Sequence, residues 1–328
     1  MKDKILSVSL NPAVDISCTA EAVEPTIKVR TSNQVEDPGG CGVNVARVIA
    51  TLGGRPELLY LAGGATGALL REILGSLPVK QHRVVSSAST RISYTVRDLK
   101  QGLEYRFIPE GPAIKRNEFQ QVLDIVEQMD FDYIVTTGSL PKHAPQDAYA
   151  QIAQIAARKG ARVILDSSGR ALSETLEQAS VFLIKPSLEE MEQLIGKPLD
   201  PEQAGEEVLK IVRRGSAENI VVSMGAQGAL LAMTSGVSFG SAPSVTPGSA
   251  VGAGDSFVAA MTFALANDIE IEEAFHLGIA AGSAAVMTTG TQLCRREDVV
   301  RLYKQEGTSR DQKAINKLIT ILDSSNPD

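Results

Sequence analysis

Apolar runs of strand length recur along the chain: Ile5–Leu10, Leu58–Leu61, Tyr133–Thr137, Arg162–Asp166, Val181–Lys185, Ile220–Ser223 and Ala229–Met233. Between them lie stretches with helical spacing. Val45, Val48, Ile49 and Leu52 share one face of a helix predicted over Val43–Leu52, which Gly53-Gly54 stops. Phe119, Val122, Leu123 and Val126 do the same within Glu118–Met129. Leu69–Leu74, Ala148–Lys159, Leu188–Ile195, Ser256–Ala266 and Ile271–Thr288 also read as helices. Asp200 is expected to cap a further helix that has Pro201 in its first position and runs to Gly215. Repeated strand-then-helix units predict an α/β fold, a mostly parallel sheet covered on both faces.

Two segments break the rhythm. Ile16–Val35 and Thr90–Phe107 alternate apolar and polar residues, as in Ile92, Tyr94 and Val96 against Arg91, Ser93 and Thr95. They predict half-exposed antiparallel strands in a small sheet outside the main domain, serving as a lid, a dimer surface or both. The chain shows no internal repeat or low-complexity stretch. The tail after about Thr308 is polar, with one helix expected around Ala314–Leu322.

Composition narrows the function classes. The 328 residues carry a formal net charge of −7, which argues against a general nucleic-acid binder. Tryptophan is absent and aromatics make up 4%, so stacking platforms for bases or sugars are not expected. Cys18, Cys41 and Cys294 are too few and too scattered for a disulfide framework, which fits a reducing cytoplasm. The N-terminus, Met1 to Leu10, reads as a first strand and not as a signal segment. No apolar run approaches the ~20 residues of a membrane span.

The chemistry concentrates at glycine-rich helix starts. Ala250-Val251-Gly252-Ala253-Gly254-Asp255-Ser256 opens an apolar helix, where unpaired amides and the positive end of the helix dipole make an anion site. Asp255 sits at that site either as an ordinary N-cap or as a general base beside transferring phosphoryl oxygens. Asp37-Pro38-Gly39-Gly40-Cys41-Gly42-Val43-Asn44 is a second such start, with Asn44 placed to hydrogen-bond sugar hydroxyls. Lys185-Pro186-Ser187-Leu188-Glu189-Glu190 follows a strand, where ligands of open α/β sheets bind. There Lys185 suits a phosphate and Glu190 a hydrated Mg2+, although the segment taken alone reads as an exposed helix start rather than a site. Val221 to Gly228 reads as a nucleotide bracket or a hairpin. Lys28, Arg30 and Arg91 offer cations on the small sheet.

Other chemistries fall away. There is no G-x-x-x-x-G-K-[ST] and no full G-x-G-x-x-G after the first strand. Gly236-Val237-Ser238-Phe239-Gly240 matches a nucleophile elbow in letters, but Ser241-Ala242-Pro243 follows where a helix is needed. His82, His143 and His276 have no metal-ligand spacing.

Taken together, these motifs resemble the PfkB (ribokinase-like) carbohydrate kinases. The likeness runs from Ser9-Leu10-Asn11-Pro12-Ala13-Val14-Asp15 to Gly290-Thr291-Gln292-Leu293-Cys294. It is most specific at Pro38-Gly39-Gly40 with Asn44-Val45-Ala46-Arg47, at Thr137-Gly138-Ser139-Leu140-Pro141, at Asp166-Ser167-Ser168-Gly169 and at Val251 to Ser256.

The resemblance implies a three-layer α/β/α sandwich with a β lid from about 16–36 and 90–108. The kinase domain would span 1–310, and 311–328 would be a polar tail. It implies transfer of the ATP γ-phosphate to the 1-hydroxyl of fructose 6-phosphate, with tagatose 6-phosphate or fructose 1-phosphate as alternative acceptors. A sugar-phosphate sensor without catalysis is a further alternative. Asp255 matches the family's base, and Gly252, Ala253 and Gly254 its anion hole. Asp15, Lys28, Gly40, Asn44, Arg91 and Ser139 match sugar-phosphate positions. Lys185, Ser187, Ser223, Gly225, Gly228 and Ser283 match ATP positions, and Glu190 the Mg2+-linked glutamate. Ser249, Val251, Ala285 and Gly290 match a K+ loop. A homodimer through the β lid is implied, with no membrane partner. Three positions depart from the pattern: Ser187 replaces the asparagine of N-x-x-E, Cys41 stands where Gly or Lys is usual, and Glu24 stands where a tyrosine occurs near the lid.

Overall fold

The computed structural model describes residues 3–305 and 312–324. Met1, Lys2 and the expected domain boundary at 310–311 lie outside the described residues. From the N-terminus the chain forms β1 (Ile5–Ser9), β2 (Ala13–Ala20), β3 (Thr31–Gly39), α1 (Cys41–Thr51), β4 (Glu57–Ala62), α2 (Gly64–Gly75), β5 (Lys80–Val85), β6 (Arg91–Asp98), β7 (Glu104–Phe107) and α3 (Arg116–Gln128). It continues with β8 (Tyr133–Thr137), α4 (Ala148–Arg158), β9 (Arg162–Asp166), α5 (Gly169–Gln178), β10 (Val181–Ile184), α6 (Leu188–Ile195) and α7 (Pro201–Arg214). Next come β11 (Ala217–Ser223), β12 (Ala229–Met233), β13 (Gly236–Gly240), α8 (Ala253–Leu265), α9 (Ile271–Val286), α10 (Arg296–Gln305) and α11 (Gln312–Ser324).

Nine strands form one sheet in the order β13-β12-β11-β10-β9-β8-β1-β4-β5. The pairs from β11 to β5 are all parallel, and β12 turns back antiparallel on β11. Side chains alternate between faces, so each apolar run feeds two cores. Ile5, Tyr133, Val135, Ile164, Leu183 and Val221 point to one side, against α8, α9 and α10. Leu6, Val8, Ile134, Leu165, Ile184 and Val222 point to the other, against α3, α4 and α7. Burying each such side chain contributes roughly 1.5–3 kcal/mol, which is why these strands read as unbroken apolar runs. The result is a three-layer α/β/α sandwich.

Asp200 caps α7, its carboxylate accepting from the Gln203 N–H at 2.8 Å, and Gly215 closes the helix in the left-handed conformation. The tail helix α11 is amphipathic, and Ile315, Leu318 and Leu322 insert into the first core.

The small sheet has the order β3-β2-β6-β7. Its outer pairs are antiparallel as expected, but the central pair β2–β6 is parallel. Between β2 and β6 the chain passes through β3, α1, β4, α2 and β5, a connection long enough for a parallel crossover. Residues 21–30 lie between β2 and β3, so Lys28 and Arg30 sit on a loop and not on the sheet. Gly236–Gly240 forms the edge strand β13, consistent with the rejection of a nucleophile elbow.

Candidate active site

Asp255 is the third residue of α8 and is buried. The helix starts after Gly252, which holds a left-handed φ of 71°, so Gly252 and not Asp255 is the N-cap. A Cβ on Gly252 would come within 2.4 Å of Leu293 Cδ2, so the turn has no room for a side chain. The first-turn amides of α8 have no carbonyl within the helix to bond, and they point along the positive end of its dipole.

The Asp255 carboxylate accepts from Asn44 Nδ2 at 2.8 Å and from the Cys41 thiol. Burial pushes its pKa up, while Asn44, Cys41, Lys185 and Arg106 pull it back toward the ionised form. Desolvation likewise pushes the Cys41 thiol well up, with the charges of Asp255 and Asp166 adding to the effect, so the thiol stays protonated and acts as a donor.

Lys185 lies buried beside this helix start and pairs with Asp166 Oδ1 at 3.2 Å. A Cβ on Gly254 would lie 3.5 Å from its ammonium, so this cation and the α8 amides face one space. Burial raises the Asp166 pKa to about 6; Lys185 opposes the shift, and Asp255 and Glu190 add to it. Three carboxylates therefore share one lysine at the carboxyl ends of β9 and β10.

Ser187 and Glu190 form a capping box on α6. The serine hydroxyl accepts from the Glu190 N–H at 3.2 Å, and the glutamate accepts from the Ser187 N–H at 2.8 Å. The segment is a capped helix start, as its pattern suggests, but Lys185 ahead of it is buried and not exposed. Ser187 and Ser223 are joined by a parallel bridge, which sets the β11 turn beside α6. That turn, with Gly225 and Gly228 at φ of 57° and 106°, is a hairpin between β11 and β12. Ser283 lies on α9 next to Gly282, where a Cβ would come within 3.3 Å of the Ala253 carbonyl.

A cavity of about 380 Å³ is lined by Asn11, Arg91, Ser139, His143 and Ser167, among others. Arg91 donates to the carbonyls of Asn11 at 2.9 Å and Pro109 at 3.1 Å, which leaves its buried Nε without a partner. Asn11 donates to Ser139 Oγ at 3.1 Å, and its buried Oδ1 is also unpartnered. Two orphaned polar atoms on one cavity mark a place for a polar ligand. Asp15 on β2 lies against Gly39, and burial raises its pKa. Gly40 precedes α1 with a φ of 98°.

Strand register decides which lid residues face this space, because directly paired residues point to one side. Asp15 pairs with Ser93 and Asp37, Ser17 with Thr95, and Thr95 with Arg106. Glu104, two residues from Arg106 and on the same side, accepts from Ser249 Oγ at 3.1 Å in the loop before α8. Arg106 therefore overhangs the Asp255 site. It has no hydrogen-bond or ion-pair partner among the described residues.

The sequence pattern does not single out Arg106, and it marks Asp166 and Arg47 only inside family motifs, with no role for either. Alternation in Thr90–Phe107 offered a signal for Arg106, and the carboxyl end of a parallel strand offered one for Asp166. Asn44, expected to meet sugar hydroxyls, donates to Asp255. Lys28 is exposed and has no partner among the described residues. Glu24 lies 3.9 Å from Lys100. Around the expected K+ loop, Ser249 N–H donates to Val286 O at 3.2 Å, and a Cβ on Gly290 would touch Ser17. Val251 N–H donates to Ser249 Oγ at 3.3 Å. The Ala285 carbonyl already accepts from Thr288 N–H and its hydroxyl, at 3.0 and 2.8 Å. Among the described residues, no group of three or more His, Cys, Asp or Glu is arranged to hold a metal, and no helix is long and apolar enough to cross a membrane.

A buried lysine beside a glycine-rich helix start, a buried carboxylate and a polar cavity together make a site suited to phosphoryl transfer. Residues 3–298 match the family described as pfkB family carbohydrate kinase. ATP-dependent 6-phosphofructokinase isozyme 2 of Mycobacterium tuberculosis is 39% identical over 307 residues, 92% of this chain and 90% of that protein. The isozyme 2 of Escherichia coli is 37% identical over 302 residues, 92% and 98% of the two chains. The 1-phosphofructokinase of Bacillus subtilis is 33% identical over 286 residues, 87% and 93%. The solved structure of Escherichia coli phosphofructokinase-2 with potassium superposes with a TM-score of 0.89 at 36% identity, covering 92% of this chain and 99% of that one. The chain belongs to the pfkB family of carbohydrate kinases. It is a phosphotransferase with an alcohol group as acceptor.

Proposed function

We propose that the protein transfers the γ-phosphate of ATP to the 1-hydroxyl of fructose 6-phosphate. The observation that carries this reading is the buried Asp255 carboxylate, held by Asn44 beside the α8 amides and the Lys185 ammonium. Asp255 takes the proton of the attacking hydroxyl. The amides at Gly252, Ala253 and Gly254 with Lys185 hold the transferring oxygens, and Arg106 adds lid-borne positive charge. Arg91, Ser139 and Asn11 hold the acceptor's phosphate end in the cavity they line. Ser187, Ser223, Gly225, Gly228 and Ser283 form the nucleotide side.

The residues fit Mg2+. Glu190 stands near Lys185 and would reach the ion through water. When bound, Mg2+ neutralises the ATP phosphates. For K+, Ser249, Val251 and Gly290 remain the supporting residues, whereas the Ala285 carbonyl is doubly hydrogen-bonded, and no step depends on this ion. The outer face of the small sheet, with Tyr94 and Phe107 exposed, is the surface through which we read a homodimer. The three free cysteines are consistent with a cytoplasmic setting.

ADP release with Mg-ATP and K+ tests the assignment on fructose 6-phosphate, tagatose 6-phosphate, fructose 1-phosphate and fructose. Fructose 6-phosphate is expected to give the highest kcat/KM, and another preference would move the specificity while keeping the chemistry. Asp255→Asn is expected to lower kcat by about 10²–10⁴-fold with acceptor binding kept. Undiminished turnover in that variant would sink the base assignment.

A further inference from the structure

An asparagine beside a carboxylate has two faces, only one of which is useful. Its nitrogen donates to the carboxylate, whereas its oxygen would repel it. In this protein the choice is fixed from behind. Arg47 donates from Nη1 to Asn44 Oδ1 at 3.3 Å and to the Pro38 carbonyl at 2.8 Å. With Oδ1 so engaged, Asn44 Nδ2 turns to Asp255 Oδ2 at 2.8 Å.

Arg47 is held in turn. Its Nη2 lies 3.2 Å from Asp37 Oδ1, in an ion pair whose side chains are 15% and 18% exposed. The other oxygen of Asp37 accepts from the Thr291 hydroxyl at 2.7 Å. One hydrogen-bonded line thus runs from the loop after α9, through the end of lid strand β3, to α1 and the α8 helix start.

We propose that Arg47, Asp37 and Thr291 are positioning residues for catalysis, fixing the Asn44 amide so that it presents its N–H to Asp255. The inference rests on the reading of Asp255 as the base. None of the three touches the reacting atoms. Their effect passes through Asn44, and it ties base geometry to contact between the lid strand and the loop after α9.

The groups facing Asp255 set the direction of the pH effect. They are Asn44 and Cys41 from α1, Lys185 after β10, Arg106 from β7 and Asp166 at the end of β9. Asn44, Cys41, Lys185 and Arg106 favour the carboxylate; Asp166 opposes it. A freed Asn44 favours it less, so the carboxyl gains its proton at higher pH and the acid limb of the kcat/KM profile moves up. The charge of Arg47 acts in the same direction.

The test compares kcat, KM for ATP and the acid limb in four variants of the full chain. Arg47→Met is expected to move the limb up by about one pH unit. Thr291→Val, which keeps shape and loses the hydroxyl, is expected to lower kcat by about two- to tenfold with KM for ATP unchanged. Thr291→Ser is expected to retain wild-type kcat and acid limb. In an Asn44→Ala background, Thr291→Val is expected to have no further effect. Thr291→Val keeps the test open if Arg47→Met fails to fold. An unmoved acid limb and unchanged kcat in Thr291→Val, or full additivity with Asn44→Ala, would overturn the proposal. Asp255→Asn separates the two readings. If it remains active, the base assignment fails; if it is inactive while Thr291→Val behaves as wild type, only the positioning line fails.

Discussion

The two sheets of this protein solve opposite problems. The nine-stranded sheet buries both faces, so its strands are apolar without interruption and its carboxyl ends are rigid platforms. Asp166 and Lys185 stand at those ends and Asp255 opposite them. The four-stranded sheet is buried mainly along β2, where Val14 and Ile16 pack against α1 and α2, and is largely exposed at its edge strands β3 and β7. One side carries Asp15, Arg91, Ser93 and Arg106 over the site, and the other leaves Tyr94 at 42% and Phe107 at 55% exposure. On the proposed reading, the base is thus held by the main layer, while part of the charge that would meet the ligand belongs to the more exposed small sheet. Such a division would suit the proposed reaction, in which the site admits two substrates and still holds its base in place.

Stability measurements sharpen this contrast most. Ile164 is completely buried in β9, and Ile164→Ala is expected to cost about 2–5 kcal/mol by urea unfolding. Tyr94→Ala on the small sheet is expected to change the protomer's stability by about 0.5 kcal/mol or less. Equal losses would show that the small sheet is part of the cooperative core.

The same contrast decides what was legible in the sequence. Tyr133–Thr137, Arg162–Asp166 and Ala229–Met233 match their strands to the residue, because burial on both faces writes an unbroken apolar run. β5 was missed because Lys80-Gln81-His82-Arg83 lies at a sheet edge and reads as polar. α5 and α10 were missed because Arg170, Ser173 and Glu174, and Arg296, Glu297 and Asp298, mask their apolar positions. Alternation identified the lid strands, but it fixes which face a side chain takes and not which way the partner strand runs, so the parallel β2–β6 pair was not foreseen. The glycine-rich helix starts marked Asp255 and Asn44. Their bond to each other spans 211 residues and the Thr291–Asp37 bond spans 254, separations that no local pattern reports.

The proposed homodimer offers a smaller lever than the core. Tyr94 pairs with Phe107 across β6 and β7, which puts both rings on the side away from the site. Phe107→Asp is expected to shift the protein toward protomers in sedimentation velocity, since a buried unpaired carboxylate disfavours the contact, with the unfolding midpoint of the protomer kept. A dimer of unchanged strength would remove this face from the interface and leave its exposed rings without a role.

The gentlest test concerns how the lid holds its own loops. Asp98, at the end of β6, accepts from the Val23 N–H at 2.9 Å and the Gln101 N–H at 2.8 Å. These amides, Val23 first, hold its carboxyl below the usual range. A depressed carboxylate supports the fold above its ordinary pKa of about 3.9 and loses that support as pH falls through the lower native value. At neutral pH the full effect is present, so Asp98→Ala is expected to speed amide hydrogen exchange in residues 21–30 and 99–103 and leave the nine-stranded sheet protected. Lowering the pH of the wild-type protein below the native value is expected to loosen the same segments, once intrinsic exchange rates are corrected for pH. Exchange that rises equally in both sheets would mean that the lid and the main domain open as one unit, and the contrast between them would not hold.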